Sequence, residues 1–371
     1  MITYALPKDS QAWQNALASV AHVLPDGMKI DSTPMTALPI FAVIIIAKRP
    51  HNDVDVLMQT WINSQANWQS VAVHDDEIAK QKAHIITSPT PLADVSIHRY
   101  LLAPTKHTQM SDAKKEAEAH IIDEQITSYF ANKLGNDADV HIMSISQMLH
   151  KHRLACFDMD STLIEQEVIV ELARYCGIED KVLEITEQAM RGEIDFATSF
   201  ARRVALLEGV DASVVSEIIA KHLTFSAGAH ATIAALKAIG YHTVLISGGF
   251  TPFAEYVACS LGMDAYHANA LSILDNQMTG QVDNNLIDGN KKATITIDTA
   301  TKLKLDMHQV VCVGDGANDL AMMATADVGI AYHAKPIVRA KADAAINITG
   351  LEGVLYALGH RLDACNQTIK S

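Results

Sequence analysis

The chain has 371 residues, too many for one typical domain, so two or three domains are expected. Hydrophobic residues make up 49%, enough for ordinary cores, and a formal net charge of −14 excludes a general nucleic-acid or membrane-surface binder, which would need basic patches to meet phosphates. Local capture of a small anion stays open.

The opening stretch MITYALPKDS has neither the basic start nor the apolar core of a signal peptide. The longest apolar run, Leu38–Ala47, contains Pro39 and falls short of the ~20 residues a membrane span requires, so a soluble, unexported, cytoplasmic protein is expected. A weak helical pattern covers Gln11–Val23, followed by loop signals at Pro25, Asp26, Gly27 and Pro34. Phe41–Ala47 reads as a buried strand, Val54–Ser64 as an amphipathic helix, and Ser70–Thr87 as one or two strands. Ser96–Leu102 is a further strand, Asp112–Lys133 a long charged helix and Val140–Ile145 a strand. Two successive strand–helix–strand units predict a ferredoxin-like α/β module over residues 1–150. His51, His74, His84 and His98 show no metal-ligand spacing and read as solvated or core histidines.

His150–Arg153 is a polar linker, and Leu154–Phe157 a short apolar strand that delivers Asp158, Met159, Asp160, Ser161 and Thr162 at its end. The next stretch, residues 165–225, is almost wholly helical: Val168–Cys176, Ile178–Arg191, Asp195–Glu208 and Ala212–His222, with Gly177, Gly192 and Gly209 at the breaks. Strands and helices then alternate. His242–Ser247 precedes helix Pro252–Leu261, and a β-hairpin is predicted over Ala265–Asp283 around an Asp275-Asn276 turn. Helix Lys292–Leu303, strand Val310–Gly314, helix Asn318–Ala324, strand Val328–Ala331, helix Pro336–Lys341, strand Ala344–Ile348 and helix Leu351–Leu358 complete the chain. The alternation predicts a doubly wound, mostly parallel sheet formed by residues 151–164 and 226–371, with 165–225 as a small helical cap. Cys156, Cys176, Cys259, Cys312 and Cys365 are scattered and form no Cys-x-x-Cys pair; Cys156 and Cys312 lie in apolar strands and read as inert buried thiols of a reducing compartment.

An isolated Asp-x-Asp is more often an acidic turn or an N-cap than a reactive pair, and Ser247-Gly248-Gly249 alone is more often a turn than a phosphate site. Gly314-x-Gly316 follows a strand, but Asp319 stands where a dinucleotide fingerprint has its third glycine, and no Gly-Lys-Ser/Thr follows; neither a Rossmann nor a Walker loop is supported. What distinguishes the chain is the combination, in order: Asp158-Met159-Asp160-Ser161-Thr162, Ser247-Gly248-Gly249, the pair Lys291-Lys292, and Gly314-Asp315-Gly316-Ala317-Asn318-Asp319. This set resembles the haloacid dehalogenase superfamily of phosphohydrolases, and within it the phosphoserine phosphatase family, over roughly residues 150–360. The region ahead of it is similar to the ACT-like modules of some bacterial members, although an α/β appendage used only for dimerisation fits the same residues.

The resemblance implies Mg2+-dependent hydrolysis of phosphoserine through an aspartyl-phosphate. Asp158 is the implied nucleophile and Asp160 the general acid and base. Mg2+ would be held by Asp158, the Asp160 backbone carbonyl and Asp315, with Asp319 in support. Ser247, Gly248, Gly249 and Asn318 would bind the phosphate, and Lys292 is favoured over Lys291 because the family's lysine directly precedes a small residue at a helix start, here Ala293. Glu167 matches the residue that meets the substrate ammonium and Arg203 the one that clamps its carboxylate, with Met190 and Phe196 as the apolar wall. One departure is Phe225-Ser226-Ala227-Gly228, where relatives commonly carry a proline before the glycine. The resemblance also implies a homodimer, and leaves open whether the N-terminal module takes an amino-acid effector. Alternatives are another small-molecule phosphatase, a phosphotransferase to an acceptor such as homoserine, or an amino-acid sensor with a vestigial catalytic domain.

Overall fold

The structure, a computed structural model, describes residues 2–6, 10–20, 40–48, 53–73, 84–88, 92–105, 112–283, 285–360 and 363–364. The chain divides into two compact units, residues 1–151 with 343–371 and residues 152–342.

The first unit contains β1 (Ile2–Leu6), α1 (Ser10–Ser19), β2 (Phe41–Lys48), α2 (Val54–Asn63), β3 (Trp68–Ala72), β4 (His84–Ser88), β5 (Val95–Pro104), α3 (Asp112–Leu134), β6 (Ala138–Ser144) and α4 (Ile145–Leu149). β2 is apolar along nearly its whole length because it is central, paired antiparallel with β5 on one side and β6 on the other. The resulting order, β3-β5-β2-β6, interleaves two strand–helix–strand units, the ferredoxin-like arrangement expected from the sequence. Val43, Ile45 and Ala47 of β2, with Tyr100 and Leu102 of β5, pack against Met58 and Trp61 of α2 and Ile126 and Phe130 of α3. Strand β1, absent from the sequence reading, pairs with β4, the second strand of the Ser70–Thr87 stretch. His98 lies 3.3 Å from Asp55. The side chains of His51, His74, His84 and Cys365, and the end of the expected Gln11–Val23 helix, fall outside the described residues.

The second unit is built on β7 (Leu154–Phe157), followed by α5 (Val168–Tyr175), α6 (Glu179–Met190), α7 (Phe196–Ala205), α8 (Ser213–Lys221) and α9 (Ala229–Ala238). Then come β8 (His242–Phe250), α10 (Thr251–Leu261), β9 (Ala265–Asn269), the short pair β10 (Ile273–Leu274) and β11 (Gln277–Met278), α11 (Gly289–Lys302), β12 (Val310–Gly314), α12 (Leu320–Met323), β13 (Val328–Tyr332) and α13 (Pro336–Arg339). Strands β13-β12-β7-β8-β9 are all parallel. β7 is central and flanked by the strands that come later on both sides, so the carboxyl ends of β12, β7 and β8 meet where the winding reverses, which is where such sheets place ligands. Helices α5–α8 form the cap, broken at Gly177, Gly192 and Gly209, each in the left-handed region.

The predicted Ala265–Asp283 hairpin resolves differently. Ala265–Asn269 is a parallel strand against β8, and the hairpin is confined to β10–β11, closed by Asp275 and Asn276 at φ 49° and 63°. That hairpin continues onto the cap: the Met278 amide donates to Val210, Gly209 to Met278 and Ala212 to Asn276, all at 2.8 Å. The cap also joins the core through its two connecting strands, where Glu165 donates to Thr224 and Ser226 to Leu163 at 3.0 Å.

Beyond residue 342 the described parts are β14 (Ala344–Ile346), α14 (Gly353–Ala357) and β15 (Asp363–Ala364), which group with residues 1–151, β15 pairing antiparallel with β1. Polar bonds also tie these segments to that unit. Asp139 accepts from the amides of Asn347 and Ile348 at 2.8 and 3.1 Å, Glu352 accepts from the Ala93 amide at 3.0 Å, and Arg99 donates to the Gly359 carbonyl at 3.0 Å. Bonds between residues so far apart in sequence leave no periodic signal. No helix among the described residues is long and apolar enough to cross a membrane.

Candidate active site

Asp158 follows directly on β7, its amide donating to Val313 of the neighbouring β12 at 2.9 Å, so its position is fixed by the sheet itself. Its Oδ1 accepts from the Met159 amide and lies 2.7 Å from the Lys292 ammonium. Lys292, only 1% exposed, stands in the first turn of α11 with Nζ also 2.7 Å from Asp319 Oδ1. The helix start is set by Asp288, whose side chain caps the Lys291 amide at 2.8 Å. Asp319 in turn accepts from the Gly316 amide at 3.0 Å. Gly314 is required there, since a β-carbon would fall 2.4 Å from the Asp319 carboxylate.

One carboxylate oxygen each of Asp158, Asp315 and Asp319 lies within 4.8 Å of the others, a group able to hold a metal ion. The sequence gives Asp319 only a supporting part; the structure brings its carboxylate into this group, while the Asp160 side chain stays outside it. Like charges in a buried site explain the electrostatics. Burial and then the Asp319 charge push Asp158 well above the usual carboxylate range, with Lys292 opposing. Asp315 is pushed up to about 7 by burial, Asp319 and Glu167. Burial acts to lower the Lys292 pKa, but Asp158 and Asp319 outweigh it and hold the ammonium charged. Three raised or crowded acids against one ammonium form a donor set that a hard divalent cation suits.

Asp160 is raised well above its ordinary value by burial, then by Glu167 and Asp158. Its carboxylate accepts from the Val168 amide at the start of α5, and its Oδ1 is buried without a hydrogen-bond partner. Ser161 is forced to φ 54°, and its hydroxyl donates to Glu167 Oε1 at 3.0 Å; a non-glycine residue so held is a strain point of the kind that clusters at sites.

On the other flank of Asp158, β8 carries Ser247, buried, its Oγ accepting from the Gly249 amide at 2.8 Å. Gly249 is hemmed by Met159, Ser247 and Val168, and a β-carbon would meet each at 3.0–3.1 Å. Phe196 of the cap reaches over the same loop: its Cζ is 3.8 Å from where a Gly248 β-carbon would be, and its ring stacks on Phe200 at 5.9 Å. Arg203 is half-buried, and burial lowers its pKa while Glu167 opposes. Its only hydrogen bond among the described residues is a long one, 3.4 Å, from Nε to the Ser199 carbonyl, which leaves the outer guanidinium fork for a ligand. Asn318 is exposed beside Asp319. The side chain of Met190, at the end of α6, falls outside the described residues.

The sequence reading passed over Asp288 and Asn269, and named Thr162 only as part of the first motif. Asp288 was legible as an aspartate three residues ahead of Lys291 at a helix start. The Thr162 hydroxyl donates to Asp315 at 3.4 Å, and Asn269, 5% exposed, carries no local signal.

A doubly wound hydrolase core with a helical cap over a carboxylate cluster is the class that this fold and site define. The profile of haloacid dehalogenase-like hydrolases matches residues 152–327. The chain is 44% identical over 225 residues to a probable phosphoserine phosphatase of Schizosaccharomyces pombe, a match spanning 60% of this chain and 75% of the relative. The crystal structure of a probable phosphoserine phosphatase from Vibrio cholerae superposes with a TM-score of 0.62 at 28% identity, covering 96% of this chain and 95% of that one. A phosphoserine phosphatase solved as a phospho-aspartyl intermediate analogue covers 55% of this chain and 98% of its own, with TM-score 0.52 and 38% identity. The chain belongs to the phosphoserine phosphatase family of these hydrolases.

Proposed function

We propose that the protein hydrolyses O-phospho-L-serine to L-serine and phosphate, the last step of serine biosynthesis, with Mg2+. The observation that carries the chemistry is the Lys292 ammonium, 2.7 Å from both Asp158 and Asp319 at the mouth of the central strands. Uncatalysed phosphate-monoester hydrolysis is extremely slow, so nucleophile, acid and charge neutralisation must all be supplied. An Asp158 oxygen forms a bond to phosphorus as the bond to the serine oxygen breaks, and Asp160 gives that oxygen its proton. Asp160, now ionised, takes a proton from water as the water oxygen bonds to phosphorus and the bond to Asp158 breaks, releasing phosphate. Lys292, Ser247 and the amides of the glycine loop hold the phosphoryl oxygens where charge grows. Mg2+ at Asp158, Asp315, Asp319 and the Asp160 carbonyl would neutralise phosphoryl charge when bound.

Specificity falls to the cap. Glu167 meets the ammonium, the free Arg203 fork takes the carboxylate in bidentate fashion, and Phe196 with Met190 forms the wall. The reading is tested by phosphate release from L-phosphoserine, phosphothreonine and p-nitrophenyl phosphate, with and without Mg2+. A strong Mg2+-dependent preference for phosphoserine is expected; equal rates on all three would keep the chemistry and discard the substrate, and no release would discard both.

Two variants probe the cap pair. Arg203→Ala is expected to raise KM for phosphoserine by ~10–100-fold, the worth of one charge-assisted pair, while leaving p-nitrophenyl phosphate nearly unchanged. Glu167→Gln removes a charge that holds the Asp160 pKa up, so the Asp160 proton is lost at lower pH. The alkaline limb of kcat/KM, where the acid form of Asp160 disappears, then moves to lower pH. A limb that stays in place or moves upward would show that Asp160 is not the titrating acid.

The described cysteines Cys156, Cys176, Cys259 and Cys312 are free thiols, and Cys156 and Cys312 lie side by side on β7 and β12, which supports a reducing, cytoplasmic setting.

A further inference from the structure

The ladder between β8 and β9 is interrupted at the phosphate loop. Ile246 pairs with His267 and Phe250 with Asn269, so Ser247, Gly248 and Gly249 stand opposite Ala268 alone. Such a bulge turns the Ser247 hydroxyl and the glycine amides toward the site, and it removes the ladder bonds that would otherwise hold them. Asn269 fills the gap. Its Nδ2 donates to the Gly248 carbonyl at 2.8 Å, and its Oδ1 accepts from the Ile287 amide at 2.8 Å. The residue after Ile287 is Asp288, the cap that starts the helix bearing Lys292. Close packing supports the same join, since a β-carbon on Gly248 would sit 3.3 Å from the Ile287 carbonyl. A carboxamide is suited to this place because it offers a donor on one side and an acceptor on the other, and both are buried.

We infer that Asn269 is a positioning residue for phosphoryl transfer, a two-ended tie that sets the distance between the Ser247–Gly249 loop and the Lys292 helix. It touches neither substrate nor metal, and acts through the two elements that bind the phosphoryl group. The inference rests on the proposed phosphatase chemistry and adds a residue to it.

The test compares Asn269→Asp, which keeps the acceptor for Ile287 but sets a carboxylate against the Gly248 carbonyl, with Asn269→Ala, which loses both bonds, and Asn269→Ser. Three readouts are taken on protein whose folded fraction is checked by thermal melting: turnover of phosphoserine, the melting shift produced by orthovanadate with Mg2+, and the melting shift produced by Mg2+ alone. A loosened loop should lower kcat by ~100-fold, the cost of a roughly 1 Å misplacement, with KM changed less than about threefold. The vanadate shift should shrink in step with kcat, while the Mg2+ shift, which reads the carboxylates on β7 and β12, stays as in the wild type. Wild-type kcat and vanadate shift in folded Asn269→Asp and Asn269→Ala would overturn the assignment. So would failure of all three variants to fold, which would make Asn269 a folding residue. If wild-type protein binds vanadate but releases no phosphate from phosphoserine, the substrate reading fails separately, and the variants' vanadate shifts still decide the role of Asn269.

Discussion

Asp158→Asn is expected to reduce phosphoserine turnover by on the order of 10⁴-fold or more while leaving the fold as stable as the wild type or more so. The amide keeps the shape of the carboxylate and can still accept from the Met159 amide, now at 2.7 Å, but it cannot become an acyl phosphate. Stability should not suffer, because the lost charge is one that burial and Asp319 already oppose, and Lys292 keeps Asp319 as its partner. Acid quenching followed by mass measurement of the Asp158 peptide gives a second readout. The wild type should carry a phosphoryl group during turnover and the variant none. Near-normal turnover in the variant would show that another group attacks phosphorus.

Lys292→Met is expected to be nearly as damaging to turnover, by ~10²–10³-fold, since it removes the fixed positive charge that faces the transferring group. Its effect on the fold should be opposite to that of Asp158→Asn. The ammonium is enclosed between two buried carboxylates, and removing one partner of such a set costs about 3–5 kcal/mol. Without metal the variant should therefore melt well below the wild type, and saturating Mg2+ should recover much of the difference by supplying charge to the same carboxylates. Equal melting of the two proteins in chelator would show that the ammonium is not the counter-charge of the cluster.

These effects come from residues that the sequence made legible, and for a specific reason. Asp158, Ser247 and Asp315 each follow an apolar run, and in a parallel sheet such runs end on one edge, so the linear order of motifs converts directly into a cluster. Lys292 was separable from Lys291 only through the resemblance, because two adjacent lysines at a helix start look alike until the helix rotates one of them inward. Arg203 and Glu167 enter the proposal by the same borrowed route. Asn269 was not, since it closes a strand, Ala265–Asn269, that the sequence presents as half of a hairpin. The grouping of the C-terminal stretch was equally hidden: its alternation of strand and helix matches what precedes it, and the β1–β15 pairing and the bonds from Asp139, Ala93 and Arg99 that tie it to the first unit are all long-range. Local pattern reports how a segment folds, and long-range polar pairing decides which unit it joins.

The β10–β11 hairpin has a consequence for how substrate enters and serine leaves. The cap is anchored along two lines, through its paired connecting strands and through the bonds from Met278 and Asn276 to residues 209–212. The second line falls just after α7, and Gly280 approaches the end of that helix so closely that a β-carbon there would be 2.9 Å from Glu208 Cβ. A lid fastened at one edge swings as a door. Fastened also beside α7, the cap is held to the hairpin as well as through its connecting strands, so a swing of the whole cap would break both sets of bonds. On the proposed roles, Arg203 of α7 sits beside that second fastening, so the partner for the substrate carboxylate belongs to the doubly tethered part of the cap.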